Sequence, residues 1–161
     1  MRRLRNLALV FLTTGAAAEP ATLVALGDSL TQGYGLSVEE GFVPQLQAWL
    51  DGQGVDVTVI NAGVSGDTTA GGLARVGWTL GAGDVDAMIV ALGGNDFLRG
   101  LDPAASRENL SGILAAAADL DVRVLLVGIT VANNYGPYYR TAFEAMYANL
   151  AAEHGVALFP D

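Results

Sequence analysis

The sequence contains no cysteine and no lysine, and it has a single histidine. Without cysteine the chain can form neither a disulfide framework nor a metal site built on thiolates. Without lysine it cannot contain the phosphate-binding loop that ends in Gly-Lys-Ser or Gly-Lys-Thr. The candidate catalytic groups are therefore hydroxyl, carboxylate and amide side chains and the one histidine, His154.

Basic side chains are also scarce. Eight arginines stand against 17 aspartates and glutamates among 161 residues, which gives a formal net charge of −9. Because nucleic-acid binding requires a basic face, this balance argues against a nucleic-acid partner. It indicates a soluble domain that anionic surfaces repel.

The apolar run at the amino terminus is too short to cross a membrane. Residues 7–18, LALVFLTTGAAA, fall short of the about 20 apolar residues that a spanning helix needs. Three arginines precede the run and three alanines end it, which is typical of a signal peptide with its cleavage site. We predict a signal peptide over residues 1–18 and export to the periplasm or out of the cell; a first core helix is the alternative. Residues 19–161 then form one domain.

Apolar, strand-like runs alternate with helical patterns along the rest of the chain. The predicted strands are residues 23–26, 55–60, 87–92, 122–129 and 156–159, and the predicted helices include residues 69–80 and one that begins at Pro103. This alternation is typical of an α/β fold with a parallel sheet between two helical layers, here with about five strands. In such sheets the active crevice lies outside the carboxyl ends of the strands, so polar residues that follow the first four strands should converge.

Three loops that follow predicted strands carry the parts of an acyl-transfer site. Ser29, in the tetrapeptide GDSL after the first strand, can supply a hydroxyl nucleophile and its own N–H. A glycine in the loop of residues 61–68 can bring a bare N–H close, and Asn95, in GGND after the third strand, can add a side-chain donor. Such donors stabilise the oxyanion of a tetrahedral intermediate. Each loop alone is also compatible with a solvated turn, but their order after successive strands is difficult to explain by chance.

The sequence lacks the signatures of two rival folds. An α/β-hydrolase needs G-x-S-x-G around its nucleophile, and neither Ser29 nor Ser65 has the second glycine. A dinucleotide-binding fold needs G-x-G-x-x-G after its first strand, and Gly33-x-Gly35 continues to Val38 instead.

Four segments resemble the SGNH, or GDSL-type, hydrolases: ALGDSLTQGYG, NAGVSGDTTAGGLARV, ALGGNDFLRG and ANNYG. The similarity covers residues 21–161 and is strongest to the bacterial periplasmic acyl thioesterases, also described as lysophospholipases and arylesterases. It implies a flavodoxin-like, three-layer αβα sandwich, with Ser29 as nucleophile and Gly66 and Asn95 completing the oxyanion hole. It also implies that Asn134 and Tyr135 border the acyl site, although an ordinary turn is nearly as compatible with them.

The resemblance further implies a small acyl ester or thioester as substrate, with no metal and no cofactor. We expect a monomer.

The histidine that the family uses as general base is not found. A serine hydroxyl needs such a base, and the resemblance implies an Asp-x-x-His motif near the carboxyl terminus. No such motif occurs in these residues. His154 is predicted to end the last helix with Gly155 as its cap, and Asp161 to end the fifth strand. We therefore expect a hydrolase fragment that lacks the catalytic Asp, the catalytic His and the final helix, with apolar sheet exposed and little or no activity. A non-catalytic lipid- or ester-binding module is the alternative.

Overall fold

The computed structural model describes residues 20–81 and 83–160, so the predicted signal peptide, residues 1–18, and Asp161 lie outside the described residues. Strands and helices alternate along this part of the chain, with a short 3-10 turn at Val38–Glu40. The strands are β1 (Ala21–Gly27), β2 (Val57–Gly63), β3 (Ala87–Ala91), β4 (Arg123–Val127) and β5 (Ala157–Phe159). The helices are α1 (Ser29–Gln32), α2 (Phe42–Gly52), α3 (Thr69–Leu80), α4 (Gly94–Leu98), α5 (Pro103–Ala118) and α6 (Pro137–His154).

The five strands form one parallel sheet in the order β2-β1-β3-β4-β5. The register aligns Gly27 of β1 with Gly63 of β2 on one side and with Ala91 of β3 on the other, so these three strands end together. The strand order reverses between β1 and β3, and in parallel sheets such a reversal opens a crevice at the carboxyl edge. The predicted parallel α/β architecture is confirmed.

The hydrophobic core lies between the sheet and helices α3, α5 and α6. Its fully buried side chains include Phe143 and Tyr147 of α6 and Leu110 and Ile113 of α5. Complete burial of one such apolar side chain stabilises the fold by roughly 1.5–3 kcal/mol. These helices therefore fix the positions of the loops that connect them to the sheet.

The opposite face of the sheet carries an open apolar groove of about 420 Å³. Helices α1 and α2 border it, and strands β3, β4 and β5 contribute Ile89, Leu125 and Phe159 to its lining. Phe159 is 58 % exposed. The groove therefore leaves part of the apolar sheet surface open to solvent.

The structure corrects several predicted boundaries. The apolar pattern predicts the second strand over residues 55–60, whereas β2 runs from Val57 to Gly63. The Val55 N–H instead donates to the Leu50 carbonyl at the end of α2, and residues 61–63 remain in the sheet because they pair with residues 25–27 of β1. By contrast, α3 occupies the predicted range of residues 69–80.

Two short helices, α1 and α4, replace what the sequence predicts to be turns. Helices of four and five residues are too short to show a helical repeat of apolar side chains. Within residues 20–81 and 83–160, no helix combines the length and apolarity needed to cross a bilayer.

Candidate active site

Ser29 lies just beyond the carboxyl end of β1, as the first residue of α1. Asp28 caps this helix, because its Oδ1 accepts a hydrogen bond from the Leu30 N–H at 3.0 Å. Asp28 is 7 % exposed, whereas Ser29 is only half-buried and remains in contact with solvent. Through this hydrogen bond to nearby backbone, Asp28 shapes the turn that carries Ser29.

The loop that contains Gly66 begins at the same edge of the sheet. The Val64 N–H donates to the Gly27 carbonyl at 3.0 Å, which ties this loop to the end of β1. Gly66 has a φ of 79°, in the left-handed region where glycine avoids the strain that a Cβ would cause. Its carbonyl accepts a hydrogen bond from Arg99 Nη2 at 2.8 Å, so the end of α4 also holds the loop.

Asn95 joins the other two loops. Its Nδ2 donates to the Asp67 carbonyl at 2.9 Å and to Asp28 Oδ2 at 3.3 Å. Because Asp67 follows Gly66 and Asp28 precedes Ser29, the Asn95 amide lies between the nucleophile loop and the Gly66 loop. The structure therefore brings the loops of all three predicted site residues to one edge of the sheet.

A tyrosine from α6 supports the loop that leads into α4. The Tyr147 hydroxyl donates to the Leu92 carbonyl at 2.9 Å. Gly93 has a φ of 125°, and a Cβ on it would lie 2.1 Å from the Tyr147 Oη. Burial, with the nearby Asp96 carboxylate adding to it, raises the pKa of Tyr147 well above its ordinary value of 10.0. The hydroxyl therefore remains a hydrogen-bond donor to the loop at neutral pH.

The buried carboxylate of Asp96 fastens α4 to the helices beside it. It is 1 % exposed and accepts hydrogen bonds from the Thr69 N–H and the Ser106 hydroxyl, each at 2.9 Å. The Thr69 hydroxyl donates to it as well, at 2.5 Å. These donors offset the cost of burying the charge. The contacts support the interpretation that Asp96 buttresses the Asn95 loop.

The loop after β4 approaches α4 through Tyr135. Its ring packs edge-on against Phe97, with 5.8 Å between ring centroids, and its hydroxyl is 3.4 Å from the Leu98 carbonyl oxygen. Tyr135 is 48 % exposed, and the neighbouring Asn134 is exposed to solvent. The structure thus places Tyr135 beside the helix that carries Asn95.

Residues 25–160 match the GDSL-like lipase/acylhydrolase family. The chain belongs to this family. It is 44 % identical over 154 residues to esterase TesA of Pseudomonas aeruginosa, an alignment that covers 96 % of this chain and 76 % of that protein. It is 40 % identical over 152 residues to thioesterase 1/protease 1/lysophospholipase L1 of Escherichia coli K12, covering 94 % and 71 %. AlinE4, an SGNH-hydrolase family esterase, has a crystal structure that matches with a TM-score of 0.85 and 41 % identity, covering 89 % of this chain and 77 % of that one.

The single histidine of this GDSL-like hydrolase lies far from Ser29. His154 ends α6 and Gly155 caps the helix, as predicted, and His154 Nε2 is 2.9 Å from Ser111 Oγ. His154 lines a cavity with Arg123 at the beginning of β4, which places it towards the amino edge of the sheet. Strands rise about 3.3 Å per residue, so β4 alone separates the two edges by roughly 15 Å. His154 therefore cannot contact Ser29.

Sequence reasoning missed two residues that hold the site together, Tyr147 and Arg75. Tyr147 is predicted only as part of an apolar helix face. Arg75 is the one charged residue of α3, in the segment TAGGLARVGWTL, and that isolated charge is the signal that could have drawn attention to it.

Proposed function

We propose that this GDSL-like hydrolase cleaves small acyl esters or thioesters through a covalent acyl intermediate on Ser29. The observation that carries the proposal is the position of the Asn95 amide, between the loops of Ser29 and Gly66. The similarity to an esterase and to a thioesterase/lysophospholipase supports the same class of reaction.

The proposed reaction has two half-reactions. Ser29 Oγ attacks the acyl carbonyl carbon and gives up its proton, and the C–O or C–S bond breaks as the leaving group takes up a proton. Water then attacks the acyl-Ser29 ester, releases the carboxylic acid and restores the serine hydroxyl. Each half-reaction passes through a tetrahedral oxyanion, for which we assign the N–H groups of Ser29 and Gly66 and the Nδ2 of Asn95 as donors. The Asn95 amide has two hydrogens, so the oxyanion would take the place of its longer contact, the one with Asp28 Oδ2 at 3.3 Å. We assign no role to a metal or a cofactor.

The proposal requires a general base that the described residues do not place beside Ser29. His154 contacts Ser111 at some distance from the carboxyl edge of the sheet. We propose that full activity requires a histidine from a segment of the Asp-x-x-His type that the family resemblance implies. Serine enzymes that lack one triad member retain only about 10³–10⁴-fold acceleration over water. We therefore expect the 161 residues alone to turn over esters barely or not at all.

Hydrolysis of short p-nitrophenyl esters tests this proposal in two chains. One is the 161-residue chain, and the other is the same chain joined to a family-type carboxyl-terminal segment with a helix and an Asp-x-x-His motif. The extended chain should be active, Ser29→Ala should abolish that activity, and His154→Ala should leave it unchanged. High activity in the short chain that disappears on His154→Ala would contradict the assignment. Only folded, monodisperse protein is scored, because the exposed apolar sheet favours aggregation.

A non-catalytic lipid- or ester-binding module is the second candidate, and the position of His154 favours it. A binding module would retain an ester or its phosphonate analogue reversibly in both chains, and neither chain would hydrolyse it. Calorimetric binding without turnover in a folded, extended chain would therefore select this alternative.

We also propose that the chain is exported and that Asn134 and Tyr135 border the acyl group. The basic and apolar start of the sequence supports export, and the mature protein should begin at or near Glu19 when it is expressed in bacteria. Mass spectrometry that finds residues 1–18 on a soluble cytoplasmic product would contradict this.

We propose a monomer, for which light scattering should give the mass of one chain.

A further inference from the structure

The guanidinium of Arg75 makes three hydrogen bonds at the carboxyl edge of the sheet. Nη2 donates to the Gly27 carbonyl at 3.0 Å, and Nη1 donates to the Ala62 carbonyl at 2.8 Å. Nε donates to Asp67 Oδ2 at 2.8 Å, in an ion pair whose side chains are 22 % and 12 % exposed. The planar guanidinium of Arg75 thus donates hydrogen bonds to three separate stretches of chain, at Gly27, Ala62 and Asp67.

Each of these stretches leads directly into the proposed site. Gly27 is two residues before Ser29, and Ala62 lies near the end of β2, before the loop that contains Gly66. Asp67 follows Gly66, and its carbonyl accepts the hydrogen bond from the Asn95 amide. Arg75 therefore connects the ends of the two strands to each other and to the loop that carries one proposed oxyanion donor, Gly66, and contacts a second, the Asn95 amide.

The three acceptors lie on stretches of chain that are far apart in the sequence, and Arg75 adds to the backbone bonds that already pair the ends of β1 and β2. Gly27 lies 48 residues from Arg75 in the sequence, and Ala62 lies 13 residues from it. Since the pair with Asp67 is largely buried, loss of the arginine would leave a carboxylate without its cation and two carbonyl oxygens without these donors. Fewer hydrogen bonds would then hold the loops in place, and a shift of fractions of an ångström is enough to weaken a preorganised oxyanion hole.

We propose that Arg75 is a positioning residue, which fixes the distance between the Ser29 hydroxyl and the oxyanion donors by clamping β1, β2 and Asp67 together. It acts through these groups and does not touch the substrate. The assignment rests on the proposed function, because it gives Arg75 a role only if Ser29 is the nucleophile.

The rate at which a fluorophosphonate labels Ser29 in the 161-residue chain tests this role. Ser29 Oγ attacks phosphorus, the P–F bond breaks, fluoride leaves, and the serine proton passes to solvent. The phosphoryl oxygen takes the place of the oxyanion. Because labelling is stoichiometric, intact-mass measurements at alkaline pH can follow it even where turnover is too slow to detect, and peptide mapping locates the label.

Arg75→Ala should label about 10²-fold more slowly than the parent chain, the scale of losing one oxyanion donor. Arg75→Lys should also be slow, because an ammonium group cannot reproduce the fork of three donors. Guanidinium ion, added below the concentration that unfolds the chain, should accelerate labelling of Arg75→Ala and leave Arg75→Lys unchanged. Arg123→Ala is the matched control, since Arg123 is exposed at the beginning of β4, on the amino edge, and should keep the parent rate.

Circular dichroism establishes which variants are folded. If Arg75→Ala does not fold, the labelling rate of Arg75→Lys tests the role of Arg75. Parent-like labelling of a folded Arg75 variant would overturn the role of Arg75 alone. Slow labelling of Arg75→Ala that guanidinium ion fails to accelerate would also overturn it, because the defect would then be a general loss of structure. If Ser29 of the parent chain is not labelled, the same variants are compared in the chain extended by the Asp-x-x-His segment, and a Ser29 that is labelled in neither chain would contradict the proposed function itself and the role of Arg75 with it.

Discussion

The side-chain amide of Asn95 donates a hydrogen bond to the carbonyl of Asp67 across 2.9 Å, although 28 residues separate them. Asn95 belongs to the helix after β3, and Asp67 belongs to the loop after β2. The contact forms because β1 lies between these strands and all three end at the same level of the sheet. A nucleophile at the end of β1 is thereby given a polar neighbour from each side.

Replacement of Asn95 by alanine should slow the labelling of Ser29 by about 10²–10³-fold, the usual effect of removing an oxyanion-hole donor. Asn95→Asp should be at least as slow, because it replaces the donor with a carboxylate near Asp28. The measurement is the labelling rate at fixed pH, with Asn149→Ala on the exposed face of α6 as control. An unchanged rate in folded Asn95→Ala would remove Asn95 from the oxyanion hole.

The Tyr147 hydroxyl should make the free energy of unfolding depend on alkaline pH. Its pKa is raised in the folded chain above the ordinary 10.0, chiefly by burial. As pH rises past about 10, the unfolded tyrosine loses its proton while the folded one keeps it, so this contribution is fully present below pH 10 and declines above it. Urea midpoints measured between about pH 9 and 11 should therefore fall less steeply for Tyr147→Phe than for the parent chain. Equal slopes of the urea midpoint against pH for Tyr147→Phe and the parent chain would contradict this. Tyr138→Phe, at an exposed tyrosine, is the control and should keep the parent slope.

Gly93→Ala should destabilise the fold, and Tyr147→Phe should relieve part of the effect. The new Cβ would lie 2.1 Å from the Tyr147 Oη, and the φ of 125° is unfavourable for alanine. Backbone strain of this kind costs of order 1–3 kcal/mol, to which the clash adds. Because removal of the hydroxyl opens space, the free-energy changes of the two substitutions should not add in urea unfolding. Free-energy changes that add strictly would show that the Cβ introduced by Gly93→Ala and the Tyr147 hydroxyl do not clash.

Gln47→Ala should lower stability and promote association through the edge of the sheet. Gln47 Nε2 donates to the Val57 carbonyl at 2.9 Å, and its Oε1 accepts from the Val59 N–H at 2.8 Å. The side chain therefore occupies backbone groups of the edge strand β2 that another chain could pair with. We expect a loss of about 1 kcal/mol per hydrogen bond and more dimer or aggregate in light scattering. Gln45→Ala, on the same helix, is the control for association: its side chain donates to the Glu39 carbonyl at 2.7 Å, away from β2, so this variant should lose some stability and associate no more than the parent chain.

Features set by local sequence could be predicted from it. The apolar run that became β3 could be recognised because the side chains on both faces of this central strand are buried or half-buried. Helix α3 could be recognised because it spans three turns with apolar spacing. Ser29 and Asn95 could be assigned to one edge because parallel strands end together, whatever their exact boundaries.

Features that depend on distant contacts could not be predicted. Nothing near Arg75 in the sequence shows that its partners include Gly27, 48 residues away. Likewise, the hydroxyl of Tyr147 reaches the Leu92 carbonyl, 55 residues away, only because α6 packs beneath the loop before α4. Such contacts depend on how the helices pack on the sheet, and the hydrophobic periodicity of the sequence does not predict that packing.

Intact-mass spectrometry of the 161-residue chain after exposure to p-nitrophenyl acetate is the most direct test of the central claim, that Ser29 is the nucleophile. Because p-nitrophenolate is a good leaving group, Ser29 can be acetylated slowly without a base, whereas hydrolysis of the acetyl-Ser29 ester needs one, so the acetyl-enzyme should accumulate. We predict one acetyl group per chain, located by peptide mapping on Ser29, absent in Ser29→Ala and retained in Ser111→Ala. An acetyl group on Ser111 that disappears with His154→Ala would show that the Ser111–His154 pair is the reactive one, and the account given for the carboxyl edge of the sheet would be wrong.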